Sequence, residues 1–156
     1  MISGGNYGWN IREASHCFDA DQPATPPDEC PDTGPEGRPL REPILGYDHE
    51  IGLAVIGGYV YRGSELPELE GHYIFGDWST SFARGNGNIL DGIPPSSPEG
   101  SWTFEQFEIA GAEDGRVGAF VLSFGQDAEH ELYVLTSDRP GPIQSTGRVL
   151  RLVAAP

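Results

Sequence analysis

Apolar and polar positions alternate with a period of two along several short stretches of the chain, most clearly over residues 55–78, VIGGYVYRGSELPELEGHYIFGDW. Tyr59 and Tyr61 fall on one side of an extended segment and Val60 on the other, while Tyr73 and Phe75 alternate with His72 and Ile74. This is the pattern of strands with one face turned to a core. Gly57-Gly58 leads into the first strand, Pro67 stops any ladder in the connection, and Gly71 opens the second. The two are therefore predicted to be neighbours in one antiparallel sheet.

A third strand is predicted between residues 81 and 90, interrupted by the turn signal Gly85-Asn86-Gly87-Asn88, and 92–100 reads as a Pro- and Ser-rich loop. Residues 101–109, SWTFEQFEI, resume the alternation with Trp102, Phe104 and Phe107 and complete four strands. The pattern then restarts, with strands predicted over 119–124, 131–136 and 147–153. GHYIFGDW and HELYVLTSD take equivalent places, each a strand ending in Asp. A repeat of roughly 60 residues holding four strands is the signature of a propeller blade with long loops. The predicted fold class is all-β, an incomplete β-propeller of about two four-stranded blades. In this reading residues 1–53 end one blade, 54–109 form a complete one, and 110–153 form a last blade lacking its closing strand. The open edges at 147–153 and 6–12 are then expected to favour self-association.

Ahead of the hairpin, residues 4–12, GGNYGWNIR, read as a strand end, with Trp9 and, later, Trp102 expected in the core; residues 43–48 form a further strand candidate. The segment 19–41 carries six Pro among many acids and reads as an irregular loop. Counting an EF-hand from Asp19 places Ala24 and Cys30 where Gly and Glu are needed, so that calcium motif is excluded. Cys17 and Cys30 bracket this loop. They read as a disulfide, as two free thiols, or, with His16, as part of a zinc site that matches no standard spacing.

Composition supports the short-strand reading, since 22 Gly and 14 Pro among 156 residues leave little room for long helices. The formal charge of -15 disfavours nucleic acid and anionic membranes as partners. All nine basic residues are Arg; a lysine-free acidic surface suits high salt, so a halophilic source is an expectation, and a GC-rich genome, which also favours Arg over Lys, is the alternative. No apolar run is long enough to span a bilayer, and no signal peptide is visible at the start.

The stretches NYGWNIRE, HCF, YDHEIGLAVIGGYVYRG, LEGHYIFGDW, VLSFGQD and ELYVLTSD resemble the carboxy-terminal part of the glucose/sorbosone dehydrogenase family, six-bladed propellers that include quinone-dependent sugar dehydrogenases and the Hedgehog-interacting proteins. The resemblance runs from Gly4 to Leu152 and implies a chain equivalent to the last third or so of a family member, secreted or otherwise extracytoplasmic. It implies pyrroloquinoline quinone (PQQ) and calcium as cofactors, a sugar as substrate and an external electron acceptor. Tyr47 stands where some members place an aromatic contact to the quinone, and Arg116 where they place arginines for its carboxylates. The lysine of those members is absent, with Arg84 as the substitute. His49, Asp77 and Trp78 are candidates at the substrate mouth, and the Tyr7 carbonyl matches a position near a structural calcium. The family's base histidine would lie upstream of Met1, so no catalytic residue is assigned.

Each of these residues also has a structural reading. Tyr47 is equally a packed aromatic at a strand end, His49 a solvated turn residue, Asp77 a turn cap, and Arg116 a surface partner of Glu113 and Asp114. Three function classes follow: a piece of a PQQ-dependent sugar dehydrogenase that is inactive alone, a non-enzymatic binding propeller of the Hedgehog-interacting branch, and an inactive truncated fragment.

Overall fold

A computed structural model describes residues 4–141 and 144–156. They are all-β, with one 3-10 turn, Pro67–Leu69, and no α-helix among the described residues. The residues fall into two compact units, up to Tyr47 and from Asp48 onward.

In the first unit, strands β1 (Arg12–Glu13) and β2 (His16–Cys17) form a two-stranded antiparallel ribbon, turned at Ala14 with φ of 51°. Cys17 and Cys30 are disulfide-bonded with their Cα atoms 5.6 Å apart, which settles the three readings of this pair. The bridge closes a loop in which Thr33 and Pro39 make a single further backbone pairing. The strand expected over 43–48 does not form. Residues 4–11 are not extended either, because the backbone N–H groups of Ile11 and Arg12 turn back to the Gly8 carbonyl and the Gly8 N–H is taken by Asn6 Oδ1. That turn projects Trp9 outward, so it is 70% exposed rather than a core residue, and Trp102 is only half-buried.

The second unit contains both predicted sheets. Strands β3 (Val55–Val60), β4 (Tyr73–Asp77), β5 (Asn88–Ile93) and β6 (Thr103–Gln106) form an antiparallel meander in chain order. Strands β7 (Phe120–Gln126), β8 (Leu132–Ser137) and β9 (Arg148–Arg151) form a second, three-stranded one. The third strand lies later than expected. The Ser79 hydroxyl donates to the Arg84 carbonyl and accepts from the N–H groups of Ser81 and Asn86. Residues 79–86 are thereby committed to a turn. Strand β5 begins only at Asn88 and runs through Gly92 and Ile93, which were expected in the loop, until Pro94 and Pro95 remove the ladder donors.

Each meander carries a bulge in its first strand, between Ile56 and Tyr59 in β3 and between Val121 and Ser123 in β7. These matched irregularities confirm the internal repeat at the level of register. At Gly58 a Cβ atom would stand 1.9 Å from the Ile74 carbonyl oxygen, so the β3 bulge needs glycine for its close approach to β4. Strand β7 packs against β3 and β4. Tyr61, Leu66, Ile74 and Ile89 from the first meander meet Val121, Phe124, Leu132 and Val134 from the second in one core, as expected when apolar faces of adjacent sheets stack.

Candidate functional site

The loops that enter β3, leave β4 for β5, enter β7 and leave β8 for β9 cluster chemistry at one end of the strands. Asp77, the last residue of β4, is fully buried. Its Oδ1 accepts from the N–H groups of Leu53 and Ser79, and its Oδ2 from that of Ala54. A Cβ on Gly52 would stand 2.0 Å from this carboxyl group. The carboxylate therefore reinforces the backbone pairing at the loop entering β3, where the Leu53 N–H also donates to the Ser79 carbonyl and the Trp78 N–H to the Ala54 carbonyl. Asn88, also fully buried, donates from Nδ2 to the Ile51 carbonyl at 2.6 Å and anchors the same loop from the β5 side.

The repeat makes Ser137, not Asp138, the equivalent of Asp77, because Asp77 pairs with Val55 at the start of β3 and Ser137 with Phe120 at the start of β7. The side chains play related parts: Ser137 Oγ accepts from the Arg139 N–H just as Asp77 accepts from Ser79 two residues on. Asp138 is exposed and pairs with Arg148 at 2.5 Å. The expected alignment of the two Asp-ending strands is thus shifted by one residue. In the loop 137–145, residues 142 and 143 lie outside the described residues.

The loops of the two meanders are stitched together. Val121 donates to the Trp78 carbonyl, Gly87 to the Ala119 carbonyl and Val117 to the Gly87 carbonyl. Asn86 Nδ2 donates to Asp114 Oδ2 at 2.7 Å, and this bond, helped by the Arg116 N–H and charge, holds the Asp114 carboxyl below its ordinary range. The Trp78 ring contacts Phe120 at 4.7 Å and Phe82 at 5.7 Å between centroids. His49 is exposed, with Nδ1 3.3 Å from the Gly52 carbonyl.

Arg84 is exposed on the loop joining β4 to β5, and its carbonyl serves the Ser79 turn; Arg116 is half-buried on the loop entering β7. Because Asn86 and Asp114 join those two loops, both guanidinium-bearing segments belong to one platform. Tyr47 and Tyr7 belong to the first unit, half-buried and 37% exposed respectively. Among the described residues no three His, Cys, Asp or Glu side chains are grouped so as to hold a metal ion. Sequence reasoning missed Ser79 and Asn88: Ser79, between Trp78 and Thr80, carries no mark in the sequence, and Asn88 reads as the end of the turn run Gly85-Asn86-Gly87-Asn88.

No known family profile matches the chain. It is similar to the HIPL2 protein of Arabidopsis thaliana, 32% identical over 151 residues that cover 88% of this chain and 21% of that protein. It is also similar to the HIPL1 protein of the same plant, 29% identical with the same coverage. The human Hedgehog-interacting protein is 30% identical over 101 residues, 64% of this chain and 13% of that protein. The chain spans about a fifth of the length of the HIPL relatives.

Proposed function

We propose that this chain is a portion of a non-enzymatic, ligand-binding propeller of the Hedgehog-interacting type, acting in an extracytoplasmic compartment. The similarity to HIPL2 over 88% of the chain carries this reading. Two features of the loop platform support it. Asp77 spends its carboxylate on three backbone donors, and Trp78 spends its ring on Phe82 and Phe120, so both mouth candidates maintain the platform rather than present chemistry. The Cys17–Cys30 bridge suits an oxidising compartment.

A second reading, part of a quinone-dependent sugar dehydrogenase, draws on Arg84 and Arg116 lying on the two joined loops. Bound PQQ would accept hydride from the sugar with calcium polarising the quinone. In that reading the two guanidinium groups hold the cofactor's carboxylates, and the proton acceptor comes from outside this chain.

One titration separates the readings. Purified protein is titrated calorimetrically with PQQ in calcium buffer, and dye reduction is followed with several aldoses. The binding reading expects no saturable PQQ uptake and no turnover. Saturable uptake that weakens in Arg116→Ala or Arg84→Ala would overturn it in favour of the dehydrogenase.

A further inference from the structure

The first unit carries an open cleft of about 440 Å³ beside the Cys17–Cys30 bridge. Phe18, Pro27 and Pro31 form its apolar lining, and Asn10, Asp19 and Glu29 its polar one. Trp9 adjoins it, its ring centroid 4.8 Å from that of Phe18 at an interplanar angle of 35°. An indole is normally buried to a large extent, yet this one is 70% exposed. The Phe18 contact and the tight turn at Gly8 hold it in that position.

The electrostatics of the unit select the sign of a ligand. Residues 4–47 contain eight carboxylates and three Arg. Two of those guanidinium groups are already engaged: Arg12 with Glu42 at 2.7 Å and with Asp32, and Arg38 with Glu36 at 2.5 Å. At the cleft, Asp19 is half-buried and its Oδ1 accepts from the Asp21 N–H at 2.9 Å, which fixes the carboxylate; Glu29 is exposed. A negative field beside a fixed aromatic face favours an organic cation. A metal ion fits less well, because among the described residues no set of three acidic, His or Cys ligands is assembled.

We propose that this cleft receives an arginine side chain from a basic segment of a partner protein. The guanidinium lies over Trp9, its stem runs against Phe18 and the prolines, and Asp19 and Glu29 accept its hydrogen bonds. All the residues involved lie between 4 and 47, so the assignment stands apart from the propeller reading and its failure would leave that reading untouched.

The test uses the intact protein and acetyl-Gly-Arg-Gly-Arg-amide, with the citrulline counterpart as the uncharged control and a neutral oligosaccharide, cellotriose, as the competing ligand class. Tryptophan emission and calorimetry report binding. The arginine peptide is expected to bind saturably and to lose affinity as salt rises, while the other two ligands do not bind. Trp9→Ala is expected to weaken binding about 2- to 5-fold, the size of a cation–π contact at an exposed site. Glu29→Gln should weaken it about 2-fold or more, with the charge of Glu29 as the only change. Unchanged melting temperatures in both variants show that folding is intact. Equal binding of the citrulline peptide, affinity indifferent to Trp9→Ala, or saturable cellotriose binding would each overturn the proposal, the last by making the indole a carbohydrate platform.

Discussion

The Tyr61 hydroxyl donates a 2.6 Å hydrogen bond to Glu131 Oε2 across 70 residues of chain, and both side chains are buried. Glu131 Oε1 accepts from the N–H groups of Ser64 and Glu65, and the Tyr61 oxygen accepts from that of Leu66. One carboxylate thus fastens the connection after β3 to the entry of β8, tying the two meanders together at the end opposite the loop platform. Gly63 passes so close that a Cβ would stand 2.6 Å from the carboxyl group. Tyr61→Phe leaves the Leu66 donor and the carboxylate short of a partner and should destabilise the second unit by about 1.5–3 kcal/mol. Denaturant unfolding measures this, and a loss near zero would show that the latch is dispensable.

The same pair sets two pH limits. The Tyr61 hydrogen bond, opposed by burial and assisted by the backbone donors, holds the Glu131 carboxyl below its ordinary value. A depressed carboxyl contributes stability that is complete above the ordinary glutamate range and is lost as pH falls through its folded pKa. Burial, with the Glu131 contact, raises the Tyr61 phenol. A raised phenol contributes stability that is complete below the ordinary tyrosine range and is lost as pH rises through its folded value. Thermal melts across pH should therefore decline on both sides. Glu131→Gln should flatten the acid limb relative to wild type, and Tyr61→Phe the alkaline one.

Asp77→Ala removes the shared acceptor of Leu53, Ala54 and Ser79, of which Leu53 retains the Ser79 carbonyl and the other two are left unsatisfied. With roughly 1–3 kcal/mol for each donor left unsatisfied, this substitution should be among the most destabilising in the chain. Hydrogen exchange provides the readout: the amides of Ala54 and Ser79 lose protection first. Retained protection at both would mean that water or another acceptor replaces the carboxylate.

Intact mass should be lower than that of the dithiol form by the two hydrogens of one disulfide. Reduction should destabilise the first unit by about 3 kcal/mol in the chain-entropy account of a loop this size. Limited proteolysis within residues 19–29 after reduction checks it, and equal cleavage in the two redox states would contradict it.

A formal charge of -15 opposes compaction by self-repulsion, which salt screens over about 8 Å near physiological ionic strength. The melting temperature is expected to rise from low to molar salt. A flat or falling curve removes the halophilic expectation.

Period-two alternation and nearby turn residues were sufficient to locate the strands that became β3, β4, β7 and β8, although only β8 buries alternate side chains (Leu132, Val134, Thr136), while β4 is buried along nearly its whole length and β3 has no buried residue. The restart of the pattern likewise revealed the second meander, and the spacing of Cys17 and Cys30 admitted the bridge that forms. Tertiary structure decided what depends on partners distant in sequence. Ser79 captures residues 79–86 in a turn and delays β5, register substitutes Ser137 for Asp138 as the counterpart of Asp77, and local hydrogen bonding at Gly8 turns Trp9 outward. The Tyr61–Glu131 latch was invisible for the same reason. An acid following Asp127 and His130 reads as a solvated turn until the fold brings a phenol and two backbone amides onto it, and those three donors keep the charge against the burial that opposes it.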